Sequence, residues 1–263
     1  MTQAESAPVL RIAGLTKRFG GLTAVDQVTL AFAPGRLHAI IGPNGAGKTT
    51  LFNLISGFLP ADAGQVFFAG QEITGRKPHQ ISRLGVARTL QVKSVFNQQS
   101  VFDNLWITAQ AQRGVLNPFR AAASYRDTNQ QVERVLEQLG LQALAQRQAG
   151  ALSYGDVALL EIGMAIVAQP KLLLLDEPIC GMSPAETERT VVKVRELART
   201  IDIVLIEHDM EVVFEIADDI TVMAQGAILA SGSPRDIAAD ERVREAYLGR
   251  PEDEDYIEES VRA

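Results

Sequence analysis

The fold of this chain is decided by the stretch Gly42-Pro43-Asn44-Gly45-Ala46-Gly47-Lys48-Thr49-Thr50. It matches the phosphate-binding pattern G-x-x-x-x-G-K-[ST] at every fixed position. The apolar run at 37–41 is typical of a buried strand, and the pattern of 49–56 predicts a helix that ends at Gly57. Because a strand, a glycine loop and a helix start bring several backbone N–H groups together at the positive end of the helix, we expect an anion to bind here.

The side chains of this loop fit the chemistry of a nucleotide's phosphates. Lys48 would place its charge at the β- and γ-phosphates, and the Thr49 hydroxyl would bind Mg²⁺. A chance glycine turn is the alternative, and the flanking strand and helix disfavour it. The other loop residues predicted to surround the phosphates are Asn44, Gly45, Ala46, Gly47 and Thr50.

Composition limits the classes of protein that this chain can be. Its 263 residues carry a formal net charge of −7, which argues against a nucleic-acid-binding protein that uses a broad basic face. The single cysteine, Cys180, allows no disulfide within the chain and indicates a reducing compartment. Residues 1–8, which we expect to be flexible, lack the pattern of a signal peptide. No apolar run of about 18 residues is present, so no membrane-spanning helix is predicted.

Hydrophobic patterning divides the chain into regions. Residues 9–70 predict an antiparallel, β-rich part in which 17–21 form a turn. A helical subdomain at about 94–160 is predicted to be inserted in an α/β domain of residues 9–250. The acidic tail, 251–263, is predicted to be disordered. The α/β elements predicted after the insert are strands at 172–175 and 203–206, helices at 185–200 and 211–217, and a hairpin of 220–223 with 227–229.

Two carboxylates follow the buried run at 172–175. Asp176 and Glu177 would lie at the carboxyl edge of a parallel sheet, where ligands bind in open α/β folds. Asp176 is placed to bind Mg²⁺, directly or through water, and Glu177 is placed to polarise an attacking water. An ordinary acidic turn is the alternative, and the upstream glycine loop disfavours it.

The three histidines have different predicted roles. His208 directly follows the strand at 203–206 and its glutamate, so a neutral imidazole there could orient water or contact the γ-phosphate. A plain turn residue is the alternative. His38, within the strand before the glycine loop, is predicted to be structural, and His79 is predicted to lie at the surface.

In their order along the chain, these motifs resemble the nucleotide-binding subunit of an ABC transporter, over about residues 9–250. The resemblance implies a P-loop NTPase of the ABC type: an α/β fold with a mixed central sheet, an antiparallel β subdomain and an inserted helical subdomain. It implies ATP and Mg²⁺ as cofactors, with Glu177 and His208 as catalytic residues. Further residues that it assigns to the cofactors are Phe19, which stacks on adenine, Val25 at the nucleotide, Gln91 at Mg²⁺, and Ser153 and Gly155 at the γ-phosphate.

The segment Leu152-Ser153-Tyr154-Gly155-Asp156 falls on the signature motif of that family. Residues 157–168 predict a helix, so free N–H groups at its start would point at an anion. In the family this anion is the γ-phosphate held by the opposite subunit, and the resemblance therefore implies a head-to-tail dimer, either homo- or heteromeric. Taken alone, the segment is better explained as a helix cap, because serine is a favourable N-cap residue; only the flanking motifs overturn that interpretation.

The resemblance also implies partners and a location. These are a second ABC ATPase subunit, membrane permease subunits and, indirectly, a solute-binding protein, with no nucleic acid. The location implied is the cytoplasmic face of the inner or plasma membrane, to which the chain would bind peripherally. A soluble ABC ATPase acting on ribosomes or DNA is the alternative, and the single domain and acidic composition disfavour it.

Three residues depart from the family pattern. Asp156 replaces the usual glutamine, Tyr154 the commoner glycine, and Ser183 the usual aspartate. A carboxylate at 156 would repel a triphosphate unless it pointed away or met a cation, so a low-turnover nucleotide sensor is a further alternative. Cys180 is predicted to be a small buried residue. The aromatic residues Phe96, Phe102 and Trp106 either pack a core or receive the membrane subunit.

Sequence features of lower specificity indicate the subfamily. Phe19-Gly20-Gly21-Leu22-Thr23-Ala24-Val25, the run 87–89 and the segment 246–249 resemble the ATPases of branched-chain amino acid importers. The function implied is ATP hydrolysis that drives transport of branched-chain amino acids or related small polar solutes. The alternatives are the ATPase of a urea or amide importer and that of a lipopolysaccharide exporter.

Overall fold

The computed structural model describes residues 7–89, 95–113 and 125–247. The strands are β1 (Leu10–Phe19), β2 (Leu22–Phe32), β3 (Leu37–Ile41), β4 (Ala63–Phe68), β5 (Gln71–Glu72), β6 (Val86–Arg88), β7 (Leu172–Asp176), β8 (Asp202–Ile206), β9 (Asp219–Ala224) and β10 (Ala227–Gly232). The helices are α1 (Lys48–Ile55), α2 (Pro78–Leu84), α3 (Val101–Arg113), α4 (Arg126–Leu139), α5 (Tyr154–Ile166), α6 (Pro184–Ala198), α7 (Met210–Ile216), α8 (Pro234–Ala239) and α9 (Glu241–Tyr247). Of these helices in the described ranges, none has the length and apolar character that crossing a bilayer requires.

The chain forms two compact units. The first contains residues 1–84 and 198–263, and the second contains residues 85–197. Helices α3 and α4, which lie within the predicted helical subdomain, and α5, which begins in it, all belong to the second unit. Gln91 and the acidic tail at 251–263 lie outside the described residues, so the domain boundaries predicted from the sequence stay predictions.

The first unit contains an antiparallel sheet in the order β2-β1-β4-β5. It confirms the antiparallel, β-rich part predicted for residues 9–70. The turn predicted at 17–21 was too long, because β1 continues to Phe19, which pairs with Leu22. Only Gly20 and Gly21 form the turn, since cross-strand pairing on both sides holds the preceding residues in extended conformation.

A mixed sheet forms the rest of the first unit's core. Its strands run in the order β10-β9-β3-β8, with β3 parallel to both β8 and β9 and with β9 antiparallel to β10. All five residues of β3 are buried, which explains why this strand is a continuous apolar run rather than an alternating one. The predicted hairpin of 220–223 and 227–229 is confirmed as β9 and β10.

Helix α1 begins directly after the glycine loop and packs on this core. Leu51, Leu54 and Ile55 are buried together with Phe52, so this helix turns an apolar face to the core. Gly57 lies just beyond the helix with a φ of +75°, a left-handed conformation that favours glycine and ends the helix.

The second unit joins a parallel strand pair to helices. Strand β7 runs parallel to β6, and all five of its residues are buried. Gly163 in α5 allows close packing of α3 and α4, because a Cβ atom there would lie 3.0 Å from methyl carbons of Leu105 and Leu139. Helix α4 ends at Gly140, whose φ of +69° is the left-handed conformation that favours glycine.

The aromatic residues between β6 and α4 divide into two kinds. The Trp106 indole donates a hydrogen bond to Asn129 Oδ1 at 3.0 Å and meets the Tyr125 ring edge-on, so it belongs to the packing of α3 against the start of α4. Phe96 is half exposed, which leaves its ring available as part of a surface.

Candidate functional site

The glycine loop between β3 and α1 lies against backbone of its own unit. Gly42 has a φ of +150°, and a Cβ atom there would lie 2.1 Å from the carbonyl oxygen of Met223. Gly47 has a φ of +99°, and a Cβ atom there would lie 2.2 Å from the carbonyl oxygen of Ala24. Both positions therefore exclude any residue with a side chain, which accounts for the glycines of the pattern.

Lys48 is directed back into this loop. Its Nζ atom donates to the carbonyl oxygens of Gly42 at 2.6 Å and Pro43 at 3.2 Å, and the side chain is buried. The first turn of α1 contains no acidic residue, so no carboxylate in that turn offsets the positive end of the helix. Asn44 and Gly45 are exposed at the tip, whereas Ala46 is buried. This arrangement is that of a phosphate-binding loop.

The two residues of the antiparallel sheet predicted to contact a nucleotide differ in exposure. Phe19 is half exposed at the end of β1, and Lys17 Nζ lies 5.6 Å from the centre of its ring. Val25 is fully buried in β2. Its contact with a nucleotide stays a prediction, one that would require the groups covering it to move.

Asp176 ends β7 and is held by two residues from the end of β6. Arg88 donates to Asp176 Oδ2 at 2.9 Å, and the Asp176 N–H donates to Thr89 Oγ1 at 3.2 Å. The Asp176 side chain is fully buried. Within the described residues its second oxygen, Oδ1, has no hydrogen-bond partner, and a buried carboxylate oxygen in that state is a favourable ligand for a cation.

Glu177 follows in an uncommon backbone conformation. Its φ is +50°, in the left-handed region that non-glycine residues seldom occupy. The side chain is half-buried and lines a cavity of about 270 Å³ in the second unit. The cavity is bounded by Asp176 and Glu177 and by the start of α5, with Tyr154 and Glu161 on that side.

The prediction that Cys180 is buried was wrong. The thiol is exposed and lines the same cavity as Glu177. The backbone accounts for this, because the Cys180 N–H donates to the Glu177 carbonyl at 3.3 Å and the chain turns there before α6. The neighbouring Ile179 is buried instead.

His208 lies after β8 in the first unit, where its exposed imidazole can meet a ligand. The Glu207 side chain is buried, and its Oε2 atom accepts from the His208 backbone N–H at 3.1 Å and lies 3.6 Å from the His208 Nδ1 atom. The Asp209 side chain accepts from Val212 N and caps α7. His208 is therefore fixed at its backbone, while its ring stays exposed. The structural role predicted for His38 agrees with its burial against Phe32, and His79 is exposed as predicted.

The start of α5 contains the signature segment. Ser153 is the N-cap, and its Oγ atom accepts from Asp156 N at 3.3 Å. The expectation that the Gly155 N–H is free was wrong, because it donates to Glu186 Oε1 at 3.0 Å. An unpaired donor at a helix start binds any nearby anion, and here a carboxylate from the first turn of α6 supplies one.

Asp156 and Ser183, which depart from the family pattern, are both engaged by α6. Arg189 Nη1 lies 2.8 Å from Asp156 Oδ1, so the carboxylate meets a cation. The Ser183 N–H and hydroxyl both donate to Glu186 Oε2, at 3.1 and 2.7 Å. The two departures are therefore part of one contact between α5 and α6.

The contacts of three residues at the site were not predicted from the sequence: Arg88, Glu186 and Arg189. One signal for Glu186 was present, since Ser183-Pro184-Ala185-Glu186 matches the S-x-x-E capping box with proline at the first helical position. That pattern predicts the contact with Ser183 but not the contact with Gly155, which is 31 residues distant along the chain.

A lysine-bearing glycine loop between a buried parallel strand and a helix defines the P-loop class of proteins. The family model described as ABC transporter matches residues 25–180, and that described as branched-chain amino acid ATP-binding cassette transporter matches residues 227–253. The chain belongs to the ABC transporter family.

Relatives in this family match the chain over nearly its whole length. The high-affinity branched-chain amino acid transport ATP-binding protein LivG of Escherichia coli K12 is 40% identical over 252 residues, which is 93% of this chain and 99% of LivG. The corresponding protein BraF of Pseudomonas aeruginosa is 40% identical over 255 residues, with the same coverage. These relatives do not favour the urea-importer or lipopolysaccharide-exporter alternatives.

A solved structure supports the fold. The ADP conformation of an ATP-binding cassette of an ABC transporter has a TM-score of 0.81 at 33% identity, and the match covers 93% of this chain and all of that chain. The predicted fold class, an ABC-type P-loop NTPase with a mixed sheet and an antiparallel sheet, is thereby confirmed.

Proposed function

We propose that this chain is the ATP-hydrolysing subunit of an importer for branched-chain amino acids. The observation that carries the proposal is the phosphate loop, with Lys48 held inside it and glycines that no other residue can replace. The near-complete match to two branched-chain amino acid transport ATP-binding proteins supports the choice of cargo.

In the first unit, the loop and α1 would bind the phosphates of ATP. The backbone N–H groups of residues 44–50 and the Lys48 ammonium offset the phosphates' negative charge. Phe19, with its ring half exposed, would stack on the adenine. His208, fixed at its backbone by Glu207, would contact the γ-phosphate or orient water.

In the second unit, Asp176 fits a magnesium ligand. Its Oδ1 atom is buried without a hydrogen-bond partner in the described part of the chain, while Arg88 holds its Oδ2. The Thr49 hydroxyl of the phosphate loop stays a predicted Mg²⁺ ligand, as does Gln91, which lies outside the described residues. When bound, Mg²⁺ neutralises phosphate charge.

Hydrolysis would proceed by attack of water on the γ-phosphorus. The Glu177 carboxylate polarises that water and accepts its hydrogen bond as the new P–O bond forms. The bond between the γ-phosphorus and the bridging oxygen breaks, so that ATP and water give ADP and inorganic phosphate. The left-handed backbone of Glu177 is consistent with a residue held in place for function.

The partners follow from the same proposal. Ser153 and the start of α5 would face the γ-phosphate bound by a second ATPase subunit, in a head-to-tail dimer that closes on ATP. Permease subunits would receive the movement, and a solute-binding protein would deliver the amino acid. The chain would lie at the cytoplasmic face of the membrane.

Glu177→Gln tests this function. We expect the assembled transporter carrying it to bind ATP normally, to lose more than 90% of its phosphate release, roughly what removal of a general base causes, and to retain ATP in a closed dimer. Phosphate release and retained nucleotide are the measurements. Glu133→Gln, which removes an exposed carboxylate from α4, is the matched control and should match wild type. Undiminished phosphate release by Glu177→Gln would reject the assignment.

A further inference from the structure

The Glu186 carboxylate connects two segments of the second unit. One oxygen accepts from the Gly155 N–H at the start of α5, and the other accepts from the Ser183 backbone and hydroxyl before α6. The first of these contacts occupies a donor that the proposed function assigns to the nucleotide of the opposite subunit. A backbone N–H has one hydrogen, so it cannot fully serve both acceptors.

The Glu186 side chain also covers the backbone at Gly155. A Cβ atom built on Gly155 would lie 2.9 Å from Glu186 Cβ, 3.0 Å from its Cγ and 3.2 Å from its Oε1. The stem of the glutamate therefore lies along the residue whose N–H it binds. An incoming phosphate that reached this N–H would have to move the side chain.

The other charges at this helix start are already balanced. Asp156 is paired with Arg189, and its Oδ2 atom is within 3.2 Å of the Ser153 hydroxyl. Hydrogen bonds from Gly155 and then from Ser183 lower the pKa of Glu186 to about 2. The group is therefore charged at every pH at which the enzyme would work, and protonation does not release it.

We propose that Glu186 is an internal anion which occupies the Gly155 N–H until the terminal phosphate of ATP on the opposite subunit displaces it. This inference rests on the proposed function. Glu186 would then help to set the ATP concentration at which the dimer closes. The contact of Gly155 with the opposite subunit's phosphate can form only when the contact of Gly155 with Glu186 breaks. The displaced carboxylate keeps its bonds to Ser183.

Glu186→Asp separates the two contacts of the side chain. The shorter aspartate keeps the charge and can still accept from Ser183, but lacks the methylene that carries it to Gly155. In the assembled transporter carrying Glu177→Gln, we measure ATP retained after gel filtration over a range of ATP concentrations. We expect the half-maximal concentration to fall about tenfold, the equilibrium equivalent of a hydrogen bond to a charged group. Glu186→Gln should shift it in the same direction.

Glu188→Gln is the matched control, because it removes an exposed carboxylate from the same helix. It should leave the half-maximal ATP concentration unchanged. Suppose that the Glu177→Gln transporter retains ATP as expected, but that adding Glu186→Asp leaves the half-maximal ATP concentration unchanged or raises it. That result would overturn the inference about Glu186 and leave the proposed function standing. Absence of retained ATP in the Glu177→Gln parent at every concentration would overturn the proposed function and this inference with it. Thermal unfolding of each variant shows that it is folded.

Discussion

At the scale of single residues, His38 shows how burial in β3 changes the chemistry of a side chain. The ring is buried edge-on against Phe32, and its Nε2 atom lies 3.1 Å from the Ala33 carbonyl. Desolvation lowers the pKa of His38 below its usual 6.5, although the Ala33 carbonyl and Asp219 act in the opposite direction. The folded protein therefore holds this imidazole neutral at a pH where the unfolded chain protonates it.

This difference predicts a dependence of stability on pH. As pH falls from 7 through 6.5, the unfolded state binds a proton that the folded state does not, so the free energy of unfolding decreases, by up to about 1.4 kcal/mol per pH unit. His38→Gln should reduce this dependence, measured by urea unfolding between pH 7.5 and 5. His79→Gln, at an exposed position, should retain it. Equal pH profiles for wild type and His38→Gln would contradict the assignment.

Residues whose position in the fold depends on local pattern were predictable from the sequence. Lys48 follows from the loop pattern, and the Asp176–Glu177 pair follows from a buried strand that ends in carboxylates. Arg189 was not predictable, because its partner Asp156 is 33 residues away and only packing of two helices brings them together. The exposure of Cys180 was missed for a related reason, since small residues in a turn carry no periodic signal.

At the scale of elements, the contact of α5 with α6 depends on a glycine. Gly155 has no left-handed φ, so its need for glycine comes from the closeness of Glu186 rather than from its backbone conformation. In an isolated helix, alanine would be the better residue by about 1 kcal/mol. Here the neighbouring element reverses that preference.

A double-mutant cycle measures this reversal. Gly155→Ala should lower the free energy of unfolding by about 1–3 kcal/mol, as overpacking does. Glu186→Gly removes the side chain that the new Cβ at position 155 would meet. The free energy of unfolding of the double variant should therefore exceed the value expected from adding the two single effects, by about 1 kcal/mol or more. Urea unfolding gives the three values. Strictly additive effects would show that the two residues do not touch in solution.

Element positions were predicted better than their ends. Helices α1 and α6 and strands β7, β8, β9 and β10 lie where apolar periodicity placed them. The end of β1 was missed because Lys17 and Arg18 have no strand pattern of their own. Their extended conformation comes from pairing with β2 and from Asp62, which accepts from both residues.

At the scale of the whole molecule, ATP binding should stabilise the folded chain by linkage. At a free ATP concentration of one hundred times Kd, the gain is about 2.7 kcal/mol, because the unfolded chain has no binding site. We expect the melting temperature to rise by roughly 5–10 °C, as a chain of this size shifts by about 2–4 °C per kcal/mol. Differential scanning fluorimetry with and without Mg²⁺–ATP checks this.

Lys48→Ala should lose most of that rise, because the ammonium, which now donates to the Gly42 carbonyl inside the loop, would be the loop's charged contact with the phosphates. Lys77→Ala, which removes an exposed lysine just before α2, should keep it. A full rise in Lys48→Ala would mean that ATP binds elsewhere. The sequence predicted an inserted helical part, but not that the second unit also contains β6, β7 and α6, because that grouping depends on contacts between residues distant in sequence.

The exposed thiol beside Glu177 has a practical consequence. Cys180 is the single cysteine of the whole chain, and its sulfur borders the cavity that contains the proposed catalytic carboxylate. A maleimide fluorophore would therefore label this chain at one known residue, and no other cysteine would have to be replaced first. The emission of the fluorophore would change with the polarity around that cavity. Closure of the proposed dimer on ATP could therefore be followed in real time on the native polypeptide.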